Sequence, residues 1–201
     1  MKTLLKIGPN DHGRPITDRE LCRAELVSGY KYELINGRVY VTYEPDPPED
    51  MNEKWLLYAV RDYTRDYPEV INYVTNKARI FVPGAPRLTI PEPDLAAYHA
   101  FPKRGLQRKI RWREVSPILV GEIVSANDPH KDLIRNVQLY LRVPSIKEYW
   151  VLDGRMDPDR PTLLVYRRRG SVWQPVIEIQ HGEIYTTRLL PGFQLPVDPL
   201  H

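Results

Sequence analysis

The sequence predicts an α/β (α+β) protein in which one βαβ unit is combined with β-hairpins. The βαβ unit is indicated by two apolar, β-rich runs, residues 118–124 and 149–152, that flank a helix-period segment from about 131 to 142. A hairpin is indicated by Asn36-Gly37 between two further β-rich runs, because both positions of such a turn can take positive φ. Strands of a βαβ unit are usually buried on both faces, so any charge within them is informative.

The composition is that of an ordinary globular chain. Its 201 residues suit one domain, 1–201, with a core from about 17 to 190. Hydrophobic residues make up 42%, which is enough for a core, and the net charge of +3 indicates no particular partner. The single cysteine, Cys22, excludes an intramolecular disulfide and a cysteine zinc cage. No apolar run has the length of a signal peptide core or a membrane span, so we expect a cytoplasmic protein with no membrane partner.

Two helices are predicted in the first third of the chain. Thr17 and Glu20 form a capping-box pattern, a hydroxyl at the N-cap and a carboxylate three residues later. They open a short helix that is expected to continue to Val27 and to end near Gly29. A longer helix is predicted from about 49 to 65, where apolar residues recur at helical spacing.

The remaining β-rich runs predict hairpins and a meander. The runs are, in chain order, residues 32–35, 38–43, 70–74, 78–82, 95–98, 162–168, 172–179 and 184–187. Residues 70–74 and 78–82 are predicted to form a second hairpin that turns at 75–77. The last three runs are predicted to form a meander whose first turn lies at 167–170.

Three carboxylates stand in or beside these runs: Glu33, Asp94 and Glu122. An ionised carboxylate inside a buried strand is costly unless it is paired or binds a cation, and Glu122 interrupts the apolar run 118–124. Neighbouring strands lie about 5 Å apart, so Asp94 and Glu122 could share one hard cation such as Mg²⁺. That cation would activate a water and stabilise the leaving oxygen of a phosphodiester. For each residue taken alone, a rim carboxylate in a salt bridge is the alternative.

Several segments resemble a nuclease family. Pro93-Asp94 followed by Glu122-Ile123-Val124 resembles the PD-(D/E)XK nuclease pattern of Pro-Asp, a variable gap and acid-x-Lys. More specifically, the chain resembles a large bacterial family of restriction-endonuclease-like proteins. The matching segments, in the order of the family, are YELINGRVY (32–40), PEPDLAAY (91–98), GEIVSANDPHKDLIRNVQLY (121–140) and KEYWVLD (147–153).

The resemblance implies a fold, a cofactor and a site. The fold is a restriction-endonuclease-like mixed central β-sheet flanked by α-helices, with the extra β-hairpins added. The cofactor is Mg²⁺ (or Mn²⁺). Its implied ligands are the carboxylates of Glu33, Asp94 and Glu122 and the main-chain carbonyl of Ile123.

The lysine of the pattern is absent from both places where it is expected. Positions i and i+2 of a strand share a face, so acid-x-Lys would place a lysine at Val124. In many relatives the lysine lies on the next helix, in the arrangement Asp-x-x-x-Lys-x-x-x-Tyr. Here that arrangement reads Asp132, Asn136 and Tyr140. Asparagine can donate a hydrogen bond to a water or a phosphate oxygen, but it supplies no positive charge.

Lys131 is the predicted substitute for that lysine. At ~100° per residue of an α-helix, Arg135 lies about 100° and Lys131 about 140° round the helix from Asn136. Lys131 lies near the helix start, however, where a long side chain can reach back toward Glu122. The predicted catalytic residues are therefore Asp94, Glu122 and Lys131.

The sequence thus predicts a metal-dependent endonuclease with DNA as its partner. Such enzymes often cut duplexes as C2 dimers with one site per strand, so a homodimer is plausible. The alternative is a catalytically impaired nucleic-acid-binding or interaction protein on the same fold, which Val124 and Asn136 favour. A two-carboxylate glycosidase is a third class, against which the resemblance argues.

The most basic stretch of the chain, 102–114, has six basic residues and one acidic residue, with Trp112 among them. It could follow a phosphate backbone and stack a base, or it could be a solvated loop. The sequence leaves both interpretations open.

Overall fold

The structure is a computed structural model that describes residues 5–102 and 110–200. Its strands are β1 Lys6–Ile7, β2 Glu25–Leu26, β3 Tyr30–Ile35, β4 Arg38–Tyr43, β5 Tyr73–Thr75, β6 Leu95–Tyr98, β7 Leu119–Ile123, β8 Glu148–Asp153, β9 Thr162–Arg169, β10 Val172–Trp173, β11 Ile177–Ile179, β12 Ile184–Thr186 and β13 Gln194–Pro196. Its helical segments are the 3₁₀ turns Pro9–Asp11 and Trp112–Glu114, α1 Asp18–Leu21, α2 Pro47–Asp66, a π-helical turn Lys131–Arg135 and α3 Asn136–Leu141. Among these described helices, none combines the length and the apolar character needed to cross a membrane.

A mixed central sheet organises the fold, as the resemblance implied. Its strand order is β10-β9-β8-β7-β6-β5, and β11 also pairs with β9. The strands β7 and β8 are parallel and their connection contains α3, so the predicted βαβ unit is confirmed. The neighbouring pairs β6–β7 and β8–β9 are antiparallel.

The two faces of β7 pack against different helices, because successive side chains of a strand point in opposite directions. Leu119 and Ile123 belong to the apolar cluster that contains the buried residues of α2. Val120 and Val124 belong to the cluster that contains Tyr140 of α3. Glu122 lies between Val120 and Val124 on the same face of β7 and therefore points toward α3.

The hairpin β3–β4 forms as predicted and lies outside the central sheet. Its turn residues have positive φ, 50° at Asn36 and 71° at Gly37. Tyr32 and Leu34 pack into a third apolar cluster, so the alternating residues of β3, Lys31 and Glu33, face the other way. An isolated bridge between Leu34 and Ile90 joins this hairpin to the segment that leads into β6.

The short helix after Thr17 begins as predicted but ends earlier. Thr17 Oγ1 accepts the Glu20 N–H, and the Glu20 carboxylate accepts the Thr17 N–H, which completes the capping box. The helix ends at Leu21 rather than near Gly29. Residues Glu25–Leu26 instead pair in parallel with Lys6–Ile7, a tertiary contact that the local helical pattern did not indicate.

The predicted second hairpin was wrong. Residues 73–75 pair with β6, not with 78–82. Ala78, Ile80 and Val82 are buried in alternation, which gives a strand-like sequence, but no ladder forms there. Their chain is extended because the N–H groups of Ile80 and Val82 donate to the carbonyls of Pro91 and Thr89.

The predicted meander was correct only in its first part. The strands β10 and β11 both pair with β9, and Pro175 separates them because it has no N–H for the ladder. Strand β12 pairs with β13 in a sheet of its own instead of continuing the meander. The turn lies at Gly170, with φ of 62°, and the preceding Arg167 and Arg168 belong to β9.

Candidate active site

Asp94 and Glu122 are neighbours across two antiparallel strands. The β6–β7 register pairs Leu95 with Gly121, so Asp94, immediately before β6, lies beside Glu122 of β7. Asp94 Oδ2 accepts the N–H of Ile123 over 2.8 Å. Asp94 is 5% exposed and Glu122 is fully buried. The structure therefore brings together the two carboxylates that were expected to share a cation.

Glu122 is held by the helix that follows its strand. Its Oε1 accepts hydrogen bonds from the Tyr140 hydroxyl at 2.6 Å and from Asn136 Nδ2 at 2.9 Å. Its Oε2 has no hydrogen-bond partner among the described residues, and Lys131 Nζ lies 3.6 Å from it. Burial raises the pKa of Glu122 well above its ordinary value, and the Asp132 carboxylate adds to the rise, while Lys131 opposes it.

Asn136 occupies the position expected for the lysine and connects two carboxylates. Its Nδ2 donates to Glu122 Oε1 and, over 3.1 Å, to Asp132 Oδ1. Asp132 Oδ2 is buried and has no hydrogen-bond partner within the described chain. Burial raises the pKa of Asp132 to about 7, against an ordinary value of 3.8. A neutral amide thus stands between two acids that both lack a full set of partners.

The ammonium group of Lys131 reaches Glu122 and Asp132 because the helix begins with a π-turn. The Asn136 N–H bonds to the Lys131 carbonyl, five residues back. This wider turn rotates less per residue than the ~100° of an α-helix, so the angles predicted for Lys131 and Arg135 do not apply. Lys131 Nζ lies 3.5 Å from Asp132 Oδ1 in addition to its contact with Glu122. Short π-helical segments occur frequently at functional sites.

Burial disfavours the charge of Lys131, but Glu122 and Asp132 outweigh this effect and raise the pKa of Lys131 well above its ordinary value. Lys131 is therefore a permanent cation in this arrangement.

Glu33 is paired with Arg135 rather than with Lys131. Its Oε2 accepts from Arg135 over 2.7 Å, and its Oε1 accepts the N–H of Glu92 over 3.2 Å. Burial disfavours its charge, but Arg135 and Lys131 hold the pKa of Glu33 below its ordinary value. Arg135 also lies over the ring of Tyr40, 5.5 Å from its centroid. Arg135 is thus bound away from Glu122, in contrast to Lys131.

Two charged residues of the site were missed by the sequence interpretation, Lys31 and Glu53. Lys31 Nζ lies 2.5 Å from Asp94 Oδ1 and 3.4 Å from Glu53 Oε2. Glu53, on α2, is 7% exposed, and its Oε1 accepts from Asn76 over 2.7 Å. Burial disfavours the charge of Asp94, but Lys31 and Lys131 hold the pKa of Asp94 below its ordinary value. The available signals were weak: Lys31 shares a strand face with Glu33, and Glu53 lies on the buried stripe of α2.

A cavity of about 550 Å³ opens onto this group. Lys31, Asp94, Ile123 and Lys131 line the end of the cavity at β6 and β7, called the inner end, whereas the fully buried Glu122 is not a lining residue. The carboxylates that line it are Glu44, Asp46, Glu49, Glu53, Asp94 and Asp128. The cavity is therefore strongly acidic, with two lysines at its inner end.

Only part of the basic stretch 102–114 lies within the described residues. Residues 103–109, which hold most of its charge, lie outside the described residues. Trp112 packs beside Tyr98 and Phe101, with ring centroids 6.3 and 6.4 Å away. The guanidinium of Arg113 donates to Asp18 over 2.8 Å. Trp112 is thus part of an aromatic cluster against the core.

The donor set fits a hard cation held by two carboxylates. Within residues 5–102 and 110–200, no three histidine, cysteine or acidic side chains are arranged as a metal site, and Glu33 is bound to Arg135. Mg²⁺, however, commonly takes one or two carboxylates and keeps several waters. Asp94, Glu122 and the Ile123 carbonyl supply such a set of oxygens.

The buried charges of the group also fit a divalent cation. Five buried carboxylates face three cations, so two positive charges are missing whenever all five are ionised, and the raised pKa values of Glu122 and Asp132 reflect this. The carboxylates are Glu33, Glu53, Asp94, Glu122 and Asp132, and the cations are Lys31, Lys131 and Arg135. Glu122 Oε2 and Asp132 Oδ2, which accept no hydrogen bond from the described residues, belong to the two carboxyls with the raised pKa values.

The chain was compared with known proteins. No curated protein matches it. A solved structure, described as a putative nuclease belonging to DUF820 from Anabaena variabilis, matches with a TM-score of 0.66 at 14% identity. The match covers 91% of this chain and 96% of that one, and at this identity it shows the fold alone. The family model described as "Uma2: Putative restriction endonuclease" matches residues 19–198. Because this match spans most of the sequence, the chain belongs to the Uma2 family of putative restriction endonucleases.

Proposed function

We propose that the protein is a metal-dependent endonuclease that hydrolyses DNA phosphodiester bonds. The observation that carries the proposal is the adjacency of Asp94 and Glu122 in the register of β6 and β7, beside an open cavity that Asp94 lines. Two adjacent buried carboxylates with too few cations around them are costly unless one binds a proton or a cation joins them, and a cation keeps both ionised.

Mg²⁺ (or Mn²⁺) would be held by Asp94, Glu122 and the main-chain carbonyl of Ile123. Bound there, the cation would lower the pKa of a water and stabilise the leaving oxygen of the phosphodiester. Glu33 would join this ligand set only if Arg135 released its carboxylate, because Arg135 now lies 2.7 Å from it.

The surrounding residues fix the two carboxylates in place. Tyr140 and Asn136 both donate to Oε1 of Glu122, so Oε2 is the oxygen left for a cation. The Ile123 N–H holds Oδ2 of Asp94, so a cation would take Oδ1, which now pairs with Lys31. Such pre-orientation reduces the reorganisation that a reaction would need.

Lys131 supplies the positive charge that Val124 and Asn136 do not. Because nearby carboxylates raise its pKa, Lys131 stays protonated and is unsuited to act as a general base. Its role is to orient the attacking water and to stabilise negative charge that develops on the phosphate.

A second candidate function is nucleic-acid binding without cleavage. It is favoured by Asn136 at the expected lysine position, because its amide nitrogen donates to Glu122 and Asp132 and its amide oxygen accepts from Arg135. In this case the fold and the acidic cavity would remain, but hydrolysis would be impaired.

One experiment separates the two candidates. Supercoiled plasmid is incubated with Mg²⁺ or Mn²⁺ and with wild type, Asp94→Asn or Glu122→Gln. The control is Glu178→Gln, an equal charge change at an exposed residue of the distant strand β11. Nicking that is retained in the control but falls at least a hundredfold in both site variants supports the endonuclease. Nicking that persists in both site variants contradicts it, and DNA binding without any nicking supports the second candidate.

A further inference from the structure

Two lysines enter the acidic cavity from different elements. Lys131 comes from the π-turn, and Lys31 comes from β3 of the hairpin outside the central sheet. The Lys31 side chain is 28% exposed, and the Lys131 side chain is 13% exposed. Lys31 is thus the more accessible of the two ammonium groups.

Lys31 has two anchors with different properties. One is Oδ1 of Asp94, the oxygen that the Ile123 N–H does not use. The other is Oε2 of Glu53, a carboxylate that Asn76 fixes through its second oxygen. If Asp94 Oδ1 turned to another cation, Glu53 would still keep the ammonium group of Lys31 at the cavity.

The cavity needs such a group if a phosphodiester is to enter it. Six carboxylates line it, and a polyanion is repelled by them. Among the described lining residues, the cations are Lys31 and Lys131, and the His12 ring lines the same cavity. An ammonium group on a flexible stem is suited to contact a phosphate oxygen as a point charge.

We propose that Lys31 contacts a phosphate of the DNA backbone at this site, with Glu53 as the residue that positions it. The inference rests on the proposed endonuclease function and names a substrate contact within it. It differs from a structural role for Lys31, in which the ammonium group would only neutralise Asp94.

The salt dependence of DNA binding distinguishes these two roles. Each phosphate contact that is lost reduces the slope of log K against log salt by about 0.9 on duplex DNA. Binding of a nuclease-resistant phosphorothioate duplex is measured with Mg²⁺ at several salt concentrations. Lys31→Met is expected to reduce the slope by about this amount and to weaken binding about tenfold. Lys31→Arg, which keeps the charge, is expected to retain the wild-type slope.

Lys54→Met is the matched control. Lys54 lies on α2 next to Glu53, but its ammonium group pairs with Asp50 at the surface, away from the cavity. The variant has the same change in net charge, and its salt slope should equal that of the wild type. An equal slope in Lys31→Met and Lys54→Met would overturn the proposal.

A second pair of variants covers the case in which Lys31→Met does not fold. Glu53→Gln is compared with the double variant Glu53→Gln/Lys31→Met, which removes both members of the Lys31–Glu53 ion pair and so leaves no unpaired carboxylate at position 53. The difference in salt slope between these two variants measures the phosphate contact of Lys31. Equal slopes in the two variants would overturn the proposal.

The outcomes for Lys31 and for the endonuclease function are separable. Binding with the expected slope change but without plasmid nicking supports Lys31 and contradicts the endonuclease. Nicking with an unchanged slope supports the endonuclease and overturns the role of Lys31. A wild type that does not bind the duplex at any salt concentration overturns both.

Discussion

The hydroxyl of Tyr140 lies 2.6 Å from Oε1 of Glu122, so α3 holds the carboxylate at the centre of β7. Both residues are fully buried, and neither has access to water as a replacement partner. The helix and the strand of the βαβ unit are therefore joined by a buried polar contact, next to the one that Asn136 makes with the same oxygen.

Tyr140→Phe should lower the free energy of unfolding by about 1–3 kcal/mol, because a buried acceptor loses its donor. Urea unfolding measures this change. Tyr98→Phe is the matched control, since the Tyr98 hydroxyl is buried and has no partner in the described part of the chain. That variant should be neutral or slightly more stable. A larger loss in Tyr98→Phe than in Tyr140→Phe would contradict the assignment of the contact.

Asp132→Asn should change how stability depends on pH in the presence of a chelator. The folded protein holds the pKa of Asp132 at about 7, above its ordinary value of 3.8, so it binds more protons than the unfolded chain between these values. Its contribution therefore destabilises the fold increasingly as pH rises from about 4 to 7. The variant should gain stability over the wild type through this range, and the gain should be constant above it.

Asp153→Asn should change the pH dependence of stability in the opposite direction. The Arg155 hydrogen bonds hold the pKa of Asp153 below its ordinary value, which stabilises the fold above that value. Asp153→Asn should therefore lose stability at neutral pH, and the loss should vanish as pH falls. Thermal unfolding across pH measures both variants, and parallel pH profiles for the two would contradict the assignment.

Lys131→Met should reduce plasmid nicking about a hundredfold, because the site loses the group that stabilises phosphate charge. Adding Asn136→Lys in that background should restore at least a tenfold part of the loss, since Asn136 already contacts Glu122 and Asp132. Asn136→Gln in the same background is the control for side-chain length without charge. Equal activity of the Lys and Gln variants would show that charge at this position is irrelevant.

Mg²⁺ should be required for DNA binding as well as for cleavage, because six carboxylates line the cavity. In chelator the wild type should bind a duplex at least tenfold more weakly than with Mg²⁺ at equal ionic strength. Mg²⁺ alone should also raise Tm, because at a hundredfold excess over its Kd it adds ~2.7 kcal/mol to the free energy of unfolding. Glu122→Gln should lose most of this increase in Tm, and an equal increase in both proteins would place the cation elsewhere.

Local patterns were sufficient to predict the centre of this molecule. The Asn36-Gly37 turn and the apolar run around Glu122 are short-range signals, and each formed the element they predicted. Asp94 could be placed beside Glu122 through the resemblance to the nuclease pattern, because the order of two β-rich runs in a sequence does not show that they pair. The resemblance also supplied the mixed central sheet, and the order of its strands was not predicted.

Other features depend on contacts between distant parts of the chain. Lys31 is 63 residues from Asp94 and 22 residues from Glu53, and no periodic pattern links these positions. Residues 78–82 alternate like a strand, but the carbonyls that they bond to come from a Pro-rich segment rather than from a partner strand. In both cases the deciding interaction is tertiary.

The π-turn at Lys131–Arg135 has a consequence for how this region could change. A π-turn holds one residue more than an α-turn between its hydrogen-bonded ends, so it can be viewed as a single-residue insertion in the helix. Deleting one residue there would give a continuous α-helix and leave the packing of α3 in register. The same deletion would rotate Lys131 away from Glu122. A deletion of one residue could therefore leave the fold intact and still remove the contact between Lys131 and Glu122.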